Sequence, residues 1–131
     1  MTTPNDSDRF IVDSSGWVEY LGDGPKAQAF APFLEKPESL LLPTIIVYEV
    51  YKKLLREHGS PLAELFLSEA FGFNQREIPL TVSSAALAAK VSLETKLPMA
   101  DAIIYATART QRAQLITLDA HFSGLPSVTL L

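Results

Sequence analysis

The chain has 131 residues, 47% of them hydrophobic and 20% charged, with a formal net charge of −4 and no cysteine. Such a length suits one domain able to bury roughly two-thirds of its unfolded surface, and the composition excludes a disordered chain. Disulfides and thiolate metal sites are ruled out, and the acidic excess argues against a protein that grips nucleic acid through a broad basic face.

In chain order, residues 1–8 are polar and acidic, and they are expected to form a flexible tail ahead of a single domain over residues 9–131. They contain no apolar signal-peptide core. Next come a strand over Arg9–Asp13 and helices over Ser15–Leu21 and Pro25–Glu35. A second strand, Ser39–Leu42, leads into a helix over Thr44–His58, with Thr44 as its expected N-cap and Gly59 just past its end. The run "LLLPTIIV" here is the most apolar stretch, but Pro43 and Thr44 interrupt it. It falls far short of the roughly 20 residues that span a bilayer, so a soluble cytoplasmic protein is expected. A helix over Pro61–Phe71 and a strand over Glu77–Leu80 follow. The segment "SSAALAAKVSLETKL" predicts a helix over Ser83–Thr95, with Ala85, Leu87, Ala88 and Val91 as its apolar stripe. The last helix, Pro98–Arg112, has proline at its expected first helical position, and strands over Gln114–Leu118 and Val128–Leu131 close the chain.

Strands alternating with helices predict an α/β domain with a mainly parallel sheet covered on both faces. Ligands in such sheets bind at the carboxyl ends of the strands. Two predicted strands end there on acids, Asp13 in "FIVDSS" and Asp119 in "LITLDAHF". Either acid alone reads as a helix cap. Glu49 is harder to explain in that way, because Ile45, Ile46, Val50 and Leu54 surround it on its helix and direct it to the rim of a buried face. Asp101 stands in a first helical turn, where the helix dipole favours an acid, but Met99, Ala100, Ala102, Ile103 and Ile104 around it predict a largely buried helix start. Four acids in such places are more than capping explains.

The order and setting of "FIVDSSGWVEYL", the glutamate of "TIIVYEV", "LPMADAIIYATAR" and "LITLDAHFSGLPSV" resemble the PIN domain family, and in particular its VapC-type branch of toxin ribonucleases. The four acids lie 36, 52 and 18 positions apart, as in that family, and the resemblance runs from residue 9 to the terminus. It implies a three-layer α/β/α sandwich with a five-stranded sheet of order 3-2-1-4-5. It also implies a Mg²⁺-dependent (or Mn²⁺-dependent) endoribonuclease, the toxin of a type II toxin–antitoxin pair. Asp13, Glu49, Asp101 and Asp119 would then be the catalytic quartet. Asp13, Asp101 and Asp119 would hold metal, and Glu49 would act through a water or at a second ion. Thr117 matches a frequent hydroxyl position beside the site, and Ser14 and Ser15 stand in for a similar supporting part. His121 and Trp17 match no catalytic position, so solvated or packing roles are expected for both.

Hard cations prefer oxygen ligands, and clustered carboxylates supply them. Without a cation the cluster repels itself, so some of its pKa values should rise. Taking the four site acids from the 15 acidic residues leaves 11, equal to the 11 basic ones, so the whole acidic excess is assigned to the site. Lys52, Lys53, Arg56, Arg109 and Arg112 are candidates for contacts to RNA phosphates. The implied partners are RNA, a cognate antitoxin and a second copy of the chain. Leu62, Leu65, Phe66, Phe71 and Phe73, with Tyr48 and Tyr51, are the apolar material for such interfaces. A phospho-receiver domain would show an adjacent early acidic pair and a lysine after a late strand, and a dehalogenase-type phosphatase would show two aspartates one residue apart. This chain shows neither. A stand-alone RNA-processing nuclease and a protein-binding scaffold on the same fold remain as alternatives.

Overall fold

The computed structural model describes residues 9–131, so the expected tail over residues 1–8 lies outside the described residues. Five strands form one sheet: β1 (Phe10–Val12), β2 (Leu40–Pro43), β3 (Glu77–Ile78), β4 (Gln114–Thr117) and β5 (Val128–Leu130). Their order is β3-β2-β1-β4-β5, and every pairing is parallel. Among the described residues six α-helices flank the sheet: α1 (Ser14–Leu21), α2 (Ala27–Leu34), α3 (Thr44–Glu57), α4 (Ser60–Phe71), α5 (Val82–Thr95) and α6 (Met99–Thr110). Helix α3 packs on α4 and α1, while α5 packs on α6. This is the expected three-layer α/β/α sandwich.

Burial on both faces explains the strand sequences. Ile11, Val12, Leu40, Leu42, Leu115 and Ile116 are at most 1% exposed, as parallel strands covered by helices require. Phe30, Ile46, Val50, Leu54, Phe66, Ile104 and Phe122 meet them from the helical layers and a short turn. Trp17 is buried too, edge-on to Phe66 with ring centroids 5.3 Å apart, which bears out its packing role.

Several local expectations shift. Four strands are one or two residues shorter than expected, β2 keeps its length but is shifted by one residue, and most helix ends move by one or two residues. Pro43 and Pro98 are N-caps, with ψ of 139° and 161°, so Thr44 and Met99 open their helices. A proline there can keep extended backbone and has no N–H to leave unpaired. Gly59, at φ 90°, makes the turn between α3 and α4 that a side chain would strain. On α5 the inward stripe is Ser84, Ala88 and Val91, while Ala85 is exposed. Ser84 faces inward because it completes a capping box with Thr81: its hydroxyl accepts from the Thr81 N–H at 2.8 Å, and its own N–H donates to Thr81 Oγ1. Met99 is 75% exposed, so the start of α6 is less buried than the apolar run around Asp101 implies.

The order reverses at β1, whose neighbours are β2 on one side and β4 on the other. Both predicted strand-terminal acids leave the sheet there, Asp13 directly after β1 and Asp119 two residues after β4. The fold therefore opens its ligand crevice between the two strands that carry them.

Candidate active site

Asp13 is a helix cap that also lines the candidate site. Its backbone, at φ −62° and ψ 159°, ends β1 and caps α1, and Oδ1 accepts from the Ser14 N–H at 2.7 Å. Its other oxygen, Oδ2, accepts from the Thr117 hydroxyl at 2.8 Å. Thr117 is fully buried, and its Oγ1 accepts in turn from the Asp119 N–H at 2.9 Å. One hydroxyl thus ties the end of β1 to the segment after β4. Asp119 likewise caps the short 3₁₀ turn Ala120–Phe122, accepting from the His121 N–H at 2.9 Å. The capping reading and the site reading describe the same two residues.

Asp101 enters from the first turn of α6 and Glu49 from the middle of α3, at the rim of the face that buries Ile46, Val50 and Leu54. All four acids line one cleft of about 280 Å³, together with Ser14, Ser15, Tyr48, Lys52, Lys53 and Arg56. The structure brings together the whole predicted quartet, both serines and three of the five basic candidates. Arg109 and Arg112 lie at and beyond the far end of α6, exposed, and do not line the cleft.

The electrostatics match a crowded, uncompensated cluster. Burial raises the Asp13 carboxyl above its ordinary range, and nearby Asp119 adds to this, against the Thr117 and Ser14 hydrogen bonds and Lys53. Burial also raises Glu49, and Asp13 and Asp101 push it further, while the Ser14 hydroxyl and Lys53 oppose them. Asp101 is raised by burial and by the charges of Asp119 and Asp13, with His121 opposing. Asp13, Glu49 and Asp101 are thus held where ionisation is disfavoured, a cost that a nearby cation would relieve. The cleft offers mainly carboxylate oxygens, the ligands a hard divalent cation prefers, but the ligand atoms that lie within 4.8 Å of one another are those of Asp101, Asp119 and His121, while Asp13 and Glu49 line the cleft outside that group.

His121 is solvated, as one of its two expected roles has it, yet its ring reaches two of the acids. Its Nδ1 lies 3.3 Å from Asp101 Oδ2 and 3.3 Å from Asp119 Oδ1, although its side chain is 62% exposed. Asp101, Asp119 and His121 can each offer an atom to one cation. The available signal was local: two residues after a capping aspartate in a tight turn, a side chain returns toward the cap.

Comparison with known proteins agrees with this geometry. The PIN domain family matches residues 10–127. The chain belongs to the PIN domain family. No curated protein sequence matches it. Among solved structures, a toxin–antitoxin complex from Klebsiella pneumoniae is 24% identical, over 91% of this chain and 94% of that one, with a TM-score of 0.69. VapC20 from Mycobacterium tuberculosis, described as a sarcin–ricin loop cleaving toxin, is 20% identical over 89% and 95%, with a TM-score of 0.69. DNA-bound VapBC from Salmonella typhimurium is 14% identical over 94% and 96%, with a TM-score of 0.68. At these identities the structures share the PIN fold with this chain.

Proposed function

We propose that this PIN domain is a metal-dependent endoribonuclease of the VapC type, the toxin of a toxin–antitoxin pair acting in the cytoplasm. The observation that carries the reading is the convergence of Asp13, Glu49, Asp101 and Asp119 on one cleft at the sheet's switch point. Asp13, Asp101 and Asp119 would hold a Mg²⁺ or Mn²⁺ ion, which would supply charge neutralisation for a phosphodiester and lower the pKa of a water. Glu49, on the wall of the cleft, would take the proton of the attacking water as the scissile P–O bond breaks, and the departing oxygen would be protonated from solvent. Ser14 and Thr117 hold the Asp13 carboxylate in one orientation. Lys52, Lys53 and Arg56, on the cleft wall, draw the RNA backbone in and fix its register.

The partner reading rests on a groove. Val47, Tyr48, Tyr51, Leu55 and Leu67 line an apolar depression of about 440 Å³ between α3 and α4. It shares Tyr48, Lys52 and Arg56 with the acidic cleft. An antitoxin segment lying there reaches the carboxylates with a basic side chain. Toxin–antitoxin complexes among the solved structures of this fold favour such a partner. Of the expected interface residues, Phe66 and Phe73 are core, whereas Leu65 is 57% and Phe71 75% exposed. We assign those two to a homodimer contact.

The test is incubation of the purified protein with RNA, with and without Mg²⁺, beside Asp13→Asn. Metal-dependent cleavage lost in the variant is expected, as is growth arrest when the protein is produced alone in bacteria. Cleavage without toxicity identifies a stand-alone nuclease, and tight partner capture without cleavage identifies a scaffold.

A further inference from the structure

A second cavity adjoins the acidic cleft and shares Ser15 and Lys53 with it. Its volume is about 320 Å³, and Glu19, Gly22, Gly24 and His58 form its walls. Two of those walls are side chains seated on bare backbone. A Cβ at Gly24 would overlap the Glu19 carboxylate, and one at Gly22 would come within 2.7 Å of His58 Cε1 and 2.8 Å of Nε2. The two glycines thus let a carboxylate and an imidazole settle against the turn after α1. Glu57 also lines the cavity, but its Oε2 is 2.9 Å from Arg56 Nη2 and is already paired. Glu19 forms no ion pair among the described residues.

We propose that this cavity is a base-reading subsite that takes a guanine adjacent to the phosphate in the acidic cleft. The proposal rests on the ribonuclease reading for the neighbouring cleft and names what that cleft's substrate carries beside the cut. Single-stranded RNA is read by splaying a base out, stacking it on an aromatic ring and bonding its Watson–Crick edge. His58 supplies the ring. Glu19 supplies two acceptor oxygens, and guanine alone among the four bases presents two adjacent donors on that edge, N1–H and the N2 amino group. Lys53, which borders both cavities, meets the phosphate between the held base and the acidic site. A carboxylate wall repels the backbone itself, so the cavity selects a base while the basic residues of α3 hold the chain.

Binding is measured with the full chain carrying Asp13→Asn, which keeps RNA intact, by fluorescence anisotropy on oligouridines with one central guanine, inosine or adenine. Guanine should bind about tenfold tighter than adenine, with inosine, which lacks the N2 amino group, in between. Adding Glu19→Gln should erase that preference while leaving affinity for plain oligouridine unchanged. Adding His58→Ala should weaken the oligomers with a central guanine, inosine or adenine together. Equal affinity for guanine and adenine, a preference that survives Glu19→Gln, or no RNA binding at all overturns the subsite. Cleavage by the wild type without base preference also sinks the subsite but leaves the ribonuclease standing. Guanine-selective binding without cleavage supports the subsite and sinks the ribonuclease.

Discussion

The Thr117 hydroxyl donates to Asp13 Oδ2 at 2.8 Å across the gap between β1 and β4, linking residues 104 positions apart in sequence. Thr117 Oγ1 in turn accepts from the Asp119 N–H, so a single buried side chain sets the spacing of two strand-end acids. Replacing Thr117 with Val keeps the shape and removes both bonds. It should cost about 1–3 kcal/mol of stability, because a buried carboxylate loses its donor. Metal affinity should fall about 10–100-fold, as for other groups that orient a ligand. Thr117→Ser should restore most of both, as read by thermal melts and Mn²⁺ titration.

Divalent metal should stabilise the fold by mass action, about 2.7 kcal/mol at a hundredfold excess over Kd. Asp101→Asn should remove most of that increment while leaving the metal-free fold intact, since Asp101 keeps only partial burial in the first turn of α6. Differential scanning fluorimetry with and without Mg²⁺ checks this. An undiminished metal response in the variant would reduce Asp101 to a helix-dipole acid.

The pH dependence has a definite sign. Asp13, Glu49 and Asp101 are all raised in the folded state, so the fold binds protons more tightly than the unfolded chain does. Their contribution to metal-free stability is present below the ordinary carboxylate pKa and is lost as pH rises through the raised values. Asp13→Asn removes one such leg. Relative to wild type, the metal-free variant should therefore gain stability steadily between acidic and neutral pH, as measured by urea unfolding across that range. A difference independent of pH would contradict the burial of an ionised Asp13.

His121 offers a nitrogen beside two carboxylates. Imidazole suits the later transition metals better than Mg²⁺. His121→Ala should weaken Co²⁺ binding about tenfold, alter its visible absorption spectrum and leave Mg²⁺ binding far less affected. Equal losses for both ions would make His121 a neighbour of the site and nothing more.

Trp17 joins α1 to α4 through Phe66, and its buried Nε1 has no hydrogen-bond partner. Trp17→Ala should cost about 3–5 kcal/mol through the cavity it leaves. Trp17→Phe should cost far less, because the unpaired indole N–H goes with the lost volume. Circular-dichroism melts of the two variants distinguish the contributions.

The alternation of short apolar runs with helical periods determined the sheet, its parallel pairing and the placing of Asp13 and Asp119 at one edge. Strands buried on both faces must be continuously apolar, so an acid at their ends stands out in one dimension. The glutamate within "TIIVYEV" was legible for a similar reason, as a charge at the rim of an apolar helical stripe. Tertiary structure alone decided the rest. A 3.6-residue period does not set a helix's rotation against its neighbours, so Ser84 faces inward where Ala85 was expected. Asp101 already put the start of α6 at the cleft, and Arg109 and Arg112, at and beyond the other end of that helix, lie outside it. The position of His121 depends on the 3₁₀ turn that Asp119 caps, and on α6 approaching that turn from a distant part of the chain. Local patterns specify what each element buries; only the packed layers bring side chains from different elements within bonding distance of one another.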